Sequence, residues 1–108
     1  MSDYYPDKFL LVEIEYPDEK IMRVFGTWSG GYLSGDTWRM NSGVNTVKTE
    51  GDMILFEGYT GSTYHCHPES YGCTAYGSGV LNSMVEKAEV PVRILSEEEM
   101  IEYVEKMQ

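Results

Sequence analysis

In KFLLVEIEY, residues 8–16, Leu10, Val12, Ile14 and Tyr16 fall on one side of an extended chain and Glu13 and Glu15 on the other. That period of two predicts a half-buried strand. PDEK, residues 17–20, follows with turn chemistry, because Pro17 fixes φ and Asp18 offers local hydrogen bonds. IMRVFGTW, residues 21–28, is then expected to return as the second strand of a hairpin. Glycines interrupt the pattern beyond it, but YLSGDTWRM, residues 32–40, suits a short hairpin about Ser34, Gly35 and Asp36. VNTVKT (44–49) and MILFEGY (53–59) flank EGD and make the clearest second hairpin, and STYHCH (62–67) reads as a further strand.

The period lengthens in the last third. SGVLNSMVEKAE, residues 78–89, sets Val80, Leu81, Met84 and Val85 at helical spacing, with Ser78 the expected cap. VPVRIL, residues 90–95, predicts a short strand at a sheet edge, since Pro91 has no N–H for a ladder bond. SEEEMIEYVEKMQ, residues 96–108, carries the firmest local signal. Ser96 with Glu99 three positions on forms a capping box, and Glu97, Glu98 and Glu99 suit the positive end of a helix dipole. Met100, Val104 and Met107, with Ile101 beside them, are the expected buried face. Strands followed by helices imply an α+β fold: a strongly bent antiparallel sheet or small β-barrel of about five to six strands, with a short helix and a C-terminal amphipathic helix packed on it.

Length and composition narrow the setting. The 108 residues suit a single compact domain over 1–108, and 42% apolar with 13% aromatic residues is too much for a disordered chain. No apolar run approaches the roughly 20 residues of a membrane-spanning helix, and MSDYYPDKF lacks the basic and apolar parts of a secretory signal. A cytoplasmic protein without membrane contact is expected, with Cys66 and Cys73 as reduced thiols.

Eighteen acids against eight bases give a net charge of −10, which argues against direct contact with nucleic acid and favours a protein partner with a basic surface. The charge is unevenly spread. Residues 26–49 hold one acid and two bases, and residues 58–85 hold one charged side chain, Glu69. The middle of the chain is therefore almost free of charge, with acids before, between and after these stretches.

Within that middle, Gly26, Gly30, Gly31, Gly35 and Gly43 serve turns and bulges on one reading. On the other, they accompany a contact surface. Trp28, Tyr32, Trp38, Tyr59 and Tyr64 mixed with small polar residues such as Asn41 and Ser42 give the pairing of rigid aromatic anchors and adaptable hydrogen bonding used by antibody paratopes. Arg39 either answers a carboxylate such as Asp36 or Glu57, or grips a small anionic ligand with its two-pronged guanidinium.

HCHPESYGC, residues 65–73, is the one stretch with metal-ligand character. His65 and His67 share a face if extended, and Cys73 returning from the next loop would complete three ligands for zinc, with Glu69 as a fourth ligand or base. A second ligand pair, the usual mark of a structural zinc site, is missing, and a structural role for these residues outweighs the metal one. Neither a nucleotide-binding glycine pattern nor a nucleophile elbow is present, so no catalytic residue is assigned and an enzyme is not expected.

The leading expectation is a small acidic non-catalytic binding module that contacts a protein through its aromatic, Gly/Ser-rich surface. Size and charge fit an inhibitor, such as a phage-encoded protein blocking a host or antiphage nucleic-acid-binding machine; that comparison rests on size and charge alone. The alternative is a small-molecule binder for a nucleotide or sugar, with tryptophan stacking and Arg39, Asn41 and Ser42 donating hydrogen bonds. The aromatic patch and the edge near Pro91 also offer a route to a homo-oligomer.

Overall fold

The structure, a computed structural model, describes residues 2–31 and 35–108. Among the described residues there are eight strands: β1 (Ser2–Tyr4), β2 (Lys8–Glu15), β3 (Lys20–Gly31), β4 (Gly35–Met40), β5 (Val44–Glu50), β6 (Met53–Gly58), β7 (Ser62–Cys66) and β8 (Val92–Ile94). Two helices, α1 (Ala75–Lys87) and α2 (Glu97–Met107), complete the α+β fold. The strands form two open four-stranded sheets, ordered β1-β7-β6-β5 and β4-β3-β2-β8. They do not close into a barrel, and the pairing is not wholly antiparallel, because β1 runs parallel to β7.

β2 lies inside its sheet and is buried on both faces at its start, not on one as the alternation implied. Phe9 and Leu11 point between the sheets, where they meet Val24, Val44, Val47, Ile54, Phe56, Tyr64 and Cys66. Leu10, Val12 and Ile14 point the other way, to a second cluster with Phe25 of β3 and Leu81, Val80 and Met84 of α1. FLLV, residues 9–12, is apolar at successive positions for this reason. Glu13 follows the inward side only as far as the rim, where Arg93 meets it at 3.6 Å.

The β2–β3 hairpin and the β5–β6 hairpin form as expected, the latter with Gly51 at φ +61 in its turn. The turn anticipated at Ser34, Gly35 and Asp36 falls partly outside the described residues. Gly35 and Asp36 are already in β4, which pairs with β3 up to Gly31↔Gly35. After β4 the chain crosses to the other sheet through Gly43 at φ +138, and a Cβ there would stand 3.0 Å from Ile21 and Tyr59. Only glycine suits both the backbone and the space at that crossing.

α1 begins earlier than its apolar spacing suggested. Thr74, not Ser78, is the cap, its hydroxyl accepting from the Gly77 N–H at 3.0 Å. α2 has both halves of its capping box, and Met100 and Val104 enter the core between the sheets. Ile101 and Met107 instead face outward, and half-buried Tyr103 packs in their place. β8 is the expected edge strand, beside β2, and Arg93 ties it to Glu13 and Glu99.

Tyr71 closes the seam where β8 ends. Its hydroxyl accepts from the Leu11 N–H at 3.1 Å and donates to the Leu95 carbonyl at 2.6 Å. Tyr71→Phe leaves a strand donor and a carbonyl without that partner. It is expected to cost about 1–3 kcal/mol, read as a lower urea midpoint with an unchanged slope.

Candidate functional site

The edge strands β1 and β4 belong to different sheets, yet side chains of the two meet. β4 alternates, so Trp38 and Arg39 point to opposite faces. Trp38 stacks on Phe25 at 5.5 Å with 19° between the planes, while the Arg39 guanidinium lies 4.6 Å from the centre of the Tyr4 ring in β1. A guanidinium over an aromatic face is attracted by the ring quadrupole, by about 0.5–2 kcal/mol. Tyr4 is fixed from behind by Tyr64, at 5.1 Å, and meets Trp28 edge-on at 6.4 Å. The Trp28 indole N–H donates to the Tyr5 carbonyl at 3.0 Å, and Asp7 accepts from the Ser29 N–H at 2.8 Å. The chain around β1 is thereby pinned to the end of β3.

Arg39 and Tyr4 form a ridge between two clefts. One, of about 480 Å³, is lined by Asp3, Tyr4, Tyr5, Trp28, Thr37, Trp38 and Arg39. Tyr5 is 61% exposed and Trp38 37%, so both rings are open to solvent. The other, of about 430 Å³, lies where the chain crosses between the sheets and is lined by Arg23, Arg39, Asn41, Ser42, Thr60 and Tyr64 among others. Among the described residues its lining includes no carboxylate, and the Asp36 side chain lies outside them. Among the described residues the ion pairs of carboxylates are with Lys48, His65 and Arg93, so none involves Arg23 or Arg39.

Asn41 shows how the sequence shapes this second cleft. Asn41 continues the β3–β4 pairing: its side-chain Oδ1 accepts from the Val24 N–H at 2.9 Å, and its backbone N–H donates to the Val24 carbonyl at 3.1 Å. That fixes the amide, leaving the buried Nδ2 donor unpartnered. The Arg23 Nε is likewise buried without a partner. Ser42 and Thr60 hydroxyls meet at 3.2 Å across the mouth. Burial pushes the Tyr64 phenol up to about 12 despite the opposing pull of Arg39, so it stays neutral and able to donate.

The structure thus gathers Arg39, Asn41, Ser42 and Tyr64 around one cleft and Trp28, Trp38 and Arg39 around its neighbour. Tyr64 is almost wholly buried and serves as wall more than surface. Tyr59, 64% exposed, stands beside the Gly43 crossing, and Tyr32 lies outside the described residues. Sequence reasoning missed Tyr4, Tyr5 and Arg23. Tyr4 and Tyr5 belong to a segment with no strand period, and nothing local to Arg23 says that it lines the same cleft as Arg39. Glu57, one suggested partner for Arg39, instead accepts from Thr46 at 2.6 Å and pairs with Lys48, which together lower its pKa.

His65, His67 and Cys73 are not brought together. His65 is on the outer face of its sheet, 3.0 Å from Asp3 and stacked on Tyr5 at 4.4 Å. His67 follows β7 with a buried, unpartnered Nδ1, whereas Cys73 packs into the cluster under α1, beyond the other sheet. Among the described residues no three His, Cys, Asp or Glu side chains stand close enough to hold a metal ion. Cys66 and Cys73 are free thiols, and burial raises the pKa of both, far above the ordinary range for Cys66. Neither is activated as a thiolate nucleophile.

No protein-family model, curated protein or solved structure matches this chain. Among the described residues no helix is long and apolar enough to cross a membrane.

Proposed function

We propose that this protein is a non-catalytic binding module that engages a protein partner at the joined edges of β1 and β4. The carrying observation is the Arg39–Tyr4 ridge with exposed Tyr5 and Trp38 beside it. Aromatic and arginine side chains are the anchors most often found at the centre of such contacts. The net charge of −10 supports a basic partner surface, drawn in by long-range attraction. Inhibition of a nucleic-acid-binding machine, in the manner of a phage-encoded protein acting on a host or antiphage system, is one form of this reading, supported by charge and size.

The test is capture of partners by the intact protein and by the double variant Tyr5→Ala, Trp38→Ala. Trp28 is spared because it also holds the Tyr5 backbone and packs on the core. A partner held by the wild type is expected to bind the folded variant about 30-fold more weakly or worse, the loss of at least one central anchor. Equal binding by a folded variant removes the proposal.

A second reading, a small-molecule binder, is favoured by the donor-lined cleft of about 430 Å³. That volume lies within the range of ordinary ligand pockets, about 300–1,000 Å³.

A further inference from the structure

We infer that the free edge of β4 takes up an extended, basic segment of the protein partner as an added strand; this rests on the binding-module reading and says how that partner is held. β4 pairs only with β3. The hydrogen-bonded pair of Val24 with Asn41 sets the alternation along the ladder. Thr37, Arg39 and Asn41 turn their backbone groups to β3, and Trp38 and Met40 turn theirs away. Among the described residues those outward N–H and C=O groups meet no other backbone group. A row of unpaired backbone donors and acceptors is a template for one more strand.

The other three edges are blunted. β8 is three residues long, follows Pro91 and is tied through Arg93 to Glu13 and Glu99. β5 carries Lys48 and Glu50, and its Thr49 is joined to Gln108 at the end of α2. β1 is three residues long. β4 spans six residues without proline or lysine, and its Thr37, Trp38 and Arg39 are exposed. Short length, proline, charge and a covering helix are the devices that keep an edge from pairing, so the edge without them is the one left open. Side chains of an added strand alternate between two faces as those of β4 do. On one face they lie along the Trp38 ring, and on the other over the cleft lined by Tyr4, Tyr5 and Asp3. The Asp3 side chain, 63% exposed, offers a basic residue its counter-charge. The net charge of −10 draws a basic segment and repels a second copy of this chain, which decides between two occupants that a bare edge would admit alike.

The experiment is titration of the full chain with a short peptide of alternating lysine and valine, followed through the backbone N–H resonances and hydrogen exchange of Trp38 and Met40. Saturable binding with a Kd below about 1 mM is expected, with both amides shifted and slowed in exchange. Two further versions of the peptide are N-methylated, one at every lysine and one at every valine, so that each has one edge blocked. One version should keep its affinity and the other lose about tenfold or more, because only the edge facing β4 needs its N–H groups. Glutamate in place of lysine should abolish binding. No binding of the lysine peptide up to about 10 mM, equal affinity of the two methylated versions, or equal binding of the glutamate peptide overturns the inference. So does a free protein that is already dimeric with the Trp38 and Met40 amides protected, since a second copy then holds the edge. The Tyr5→Ala, Trp38→Ala variant keeps the two proposals apart. Loss of peptide binding in the folded variant, with both methylated versions equal on the wild type, retains the anchors and overturns strand pairing. Full binding by the variant, with the backbone amides of positions 38 and 40 still protected, retains strand pairing and removes the anchors.

Discussion

Phe9→Ala will lower the unfolding free energy by about 3–5 kcal/mol, the largest loss expected from any single truncation in this chain. Phe9 is fully buried, with its ring 5.8 Å from Phe56 in the facing sheet and 5.1 Å from Tyr71, which it meets edge-on. Its carbonyl also accepts from the Gly72 N–H at 2.7 Å, so backbone and ring together anchor the segment leading into α1. Removing the ring opens a cavity walled by both sheets, and their backbones are held by ladder bonds that resist collapse. Small domains are stable by only about 5–15 kcal/mol, so the variant should sit near the edge of folding. Urea unfolding of purified protein measures the difference, and a loss under about 1 kcal/mol would show that Phe9 does not join the sheets.

Two glycines in the same helix are expected to respond in opposite directions. A Cβ at Gly77 would stand 2.5 Å from Thr27 Cγ2 and 3.4 Å from Phe25, both fully buried in β3. Threonine is stiff at χ1 and has no room to swing away, so Gly77→Ala forces helix and sheet apart. The overpacking cost, about 1–3 kcal/mol, exceeds the roughly 1 kcal/mol that alanine gains in helix propensity. At Gly79 a Cβ meets nothing within 4 Å, so Gly79→Ala keeps only the propensity gain. Gly77→Ala should therefore melt earlier than the wild type and Gly79→Ala later. A shift in the same direction for both would mean that α1 does not lie close on β3.

What the sequence revealed, and what it hid, follows the range of the interactions concerned. The Ser96–Glu99 box, the turn at Gly51 and the edge position of β8 are decided within a few residues, and all were legible. The start of α1 was hidden because apolar spacing begins only at Val80, well over one turn after the Thr74 cap. Ile101 was read as inward because periodicity finds an apolar stripe without saying where the partner surface ends. The candidate site was half visible: Trp28, Trp38, Arg39, Asn41 and Ser42 lie in one unusual stretch of chain. Tyr4 joins them only through the packing of one sheet against the other, and Arg23 through the pairing of β3 with β4, neither of which leaves a local trace.

The parallel pairing of β1 with β7 fixes when that surface can exist during synthesis. Tyr4 precedes its neighbour Tyr64 by about sixty positions, and until β7 follows, β1 has no strand to join. The β2–β3 hairpin can pair while translation continues, whereas the ridge must wait for β7. A growing chain therefore keeps the ridge unassembled until β7 has been made, and a product terminated before β7 would carry Arg39 and Tyr4 without the strand that holds Tyr4 in place.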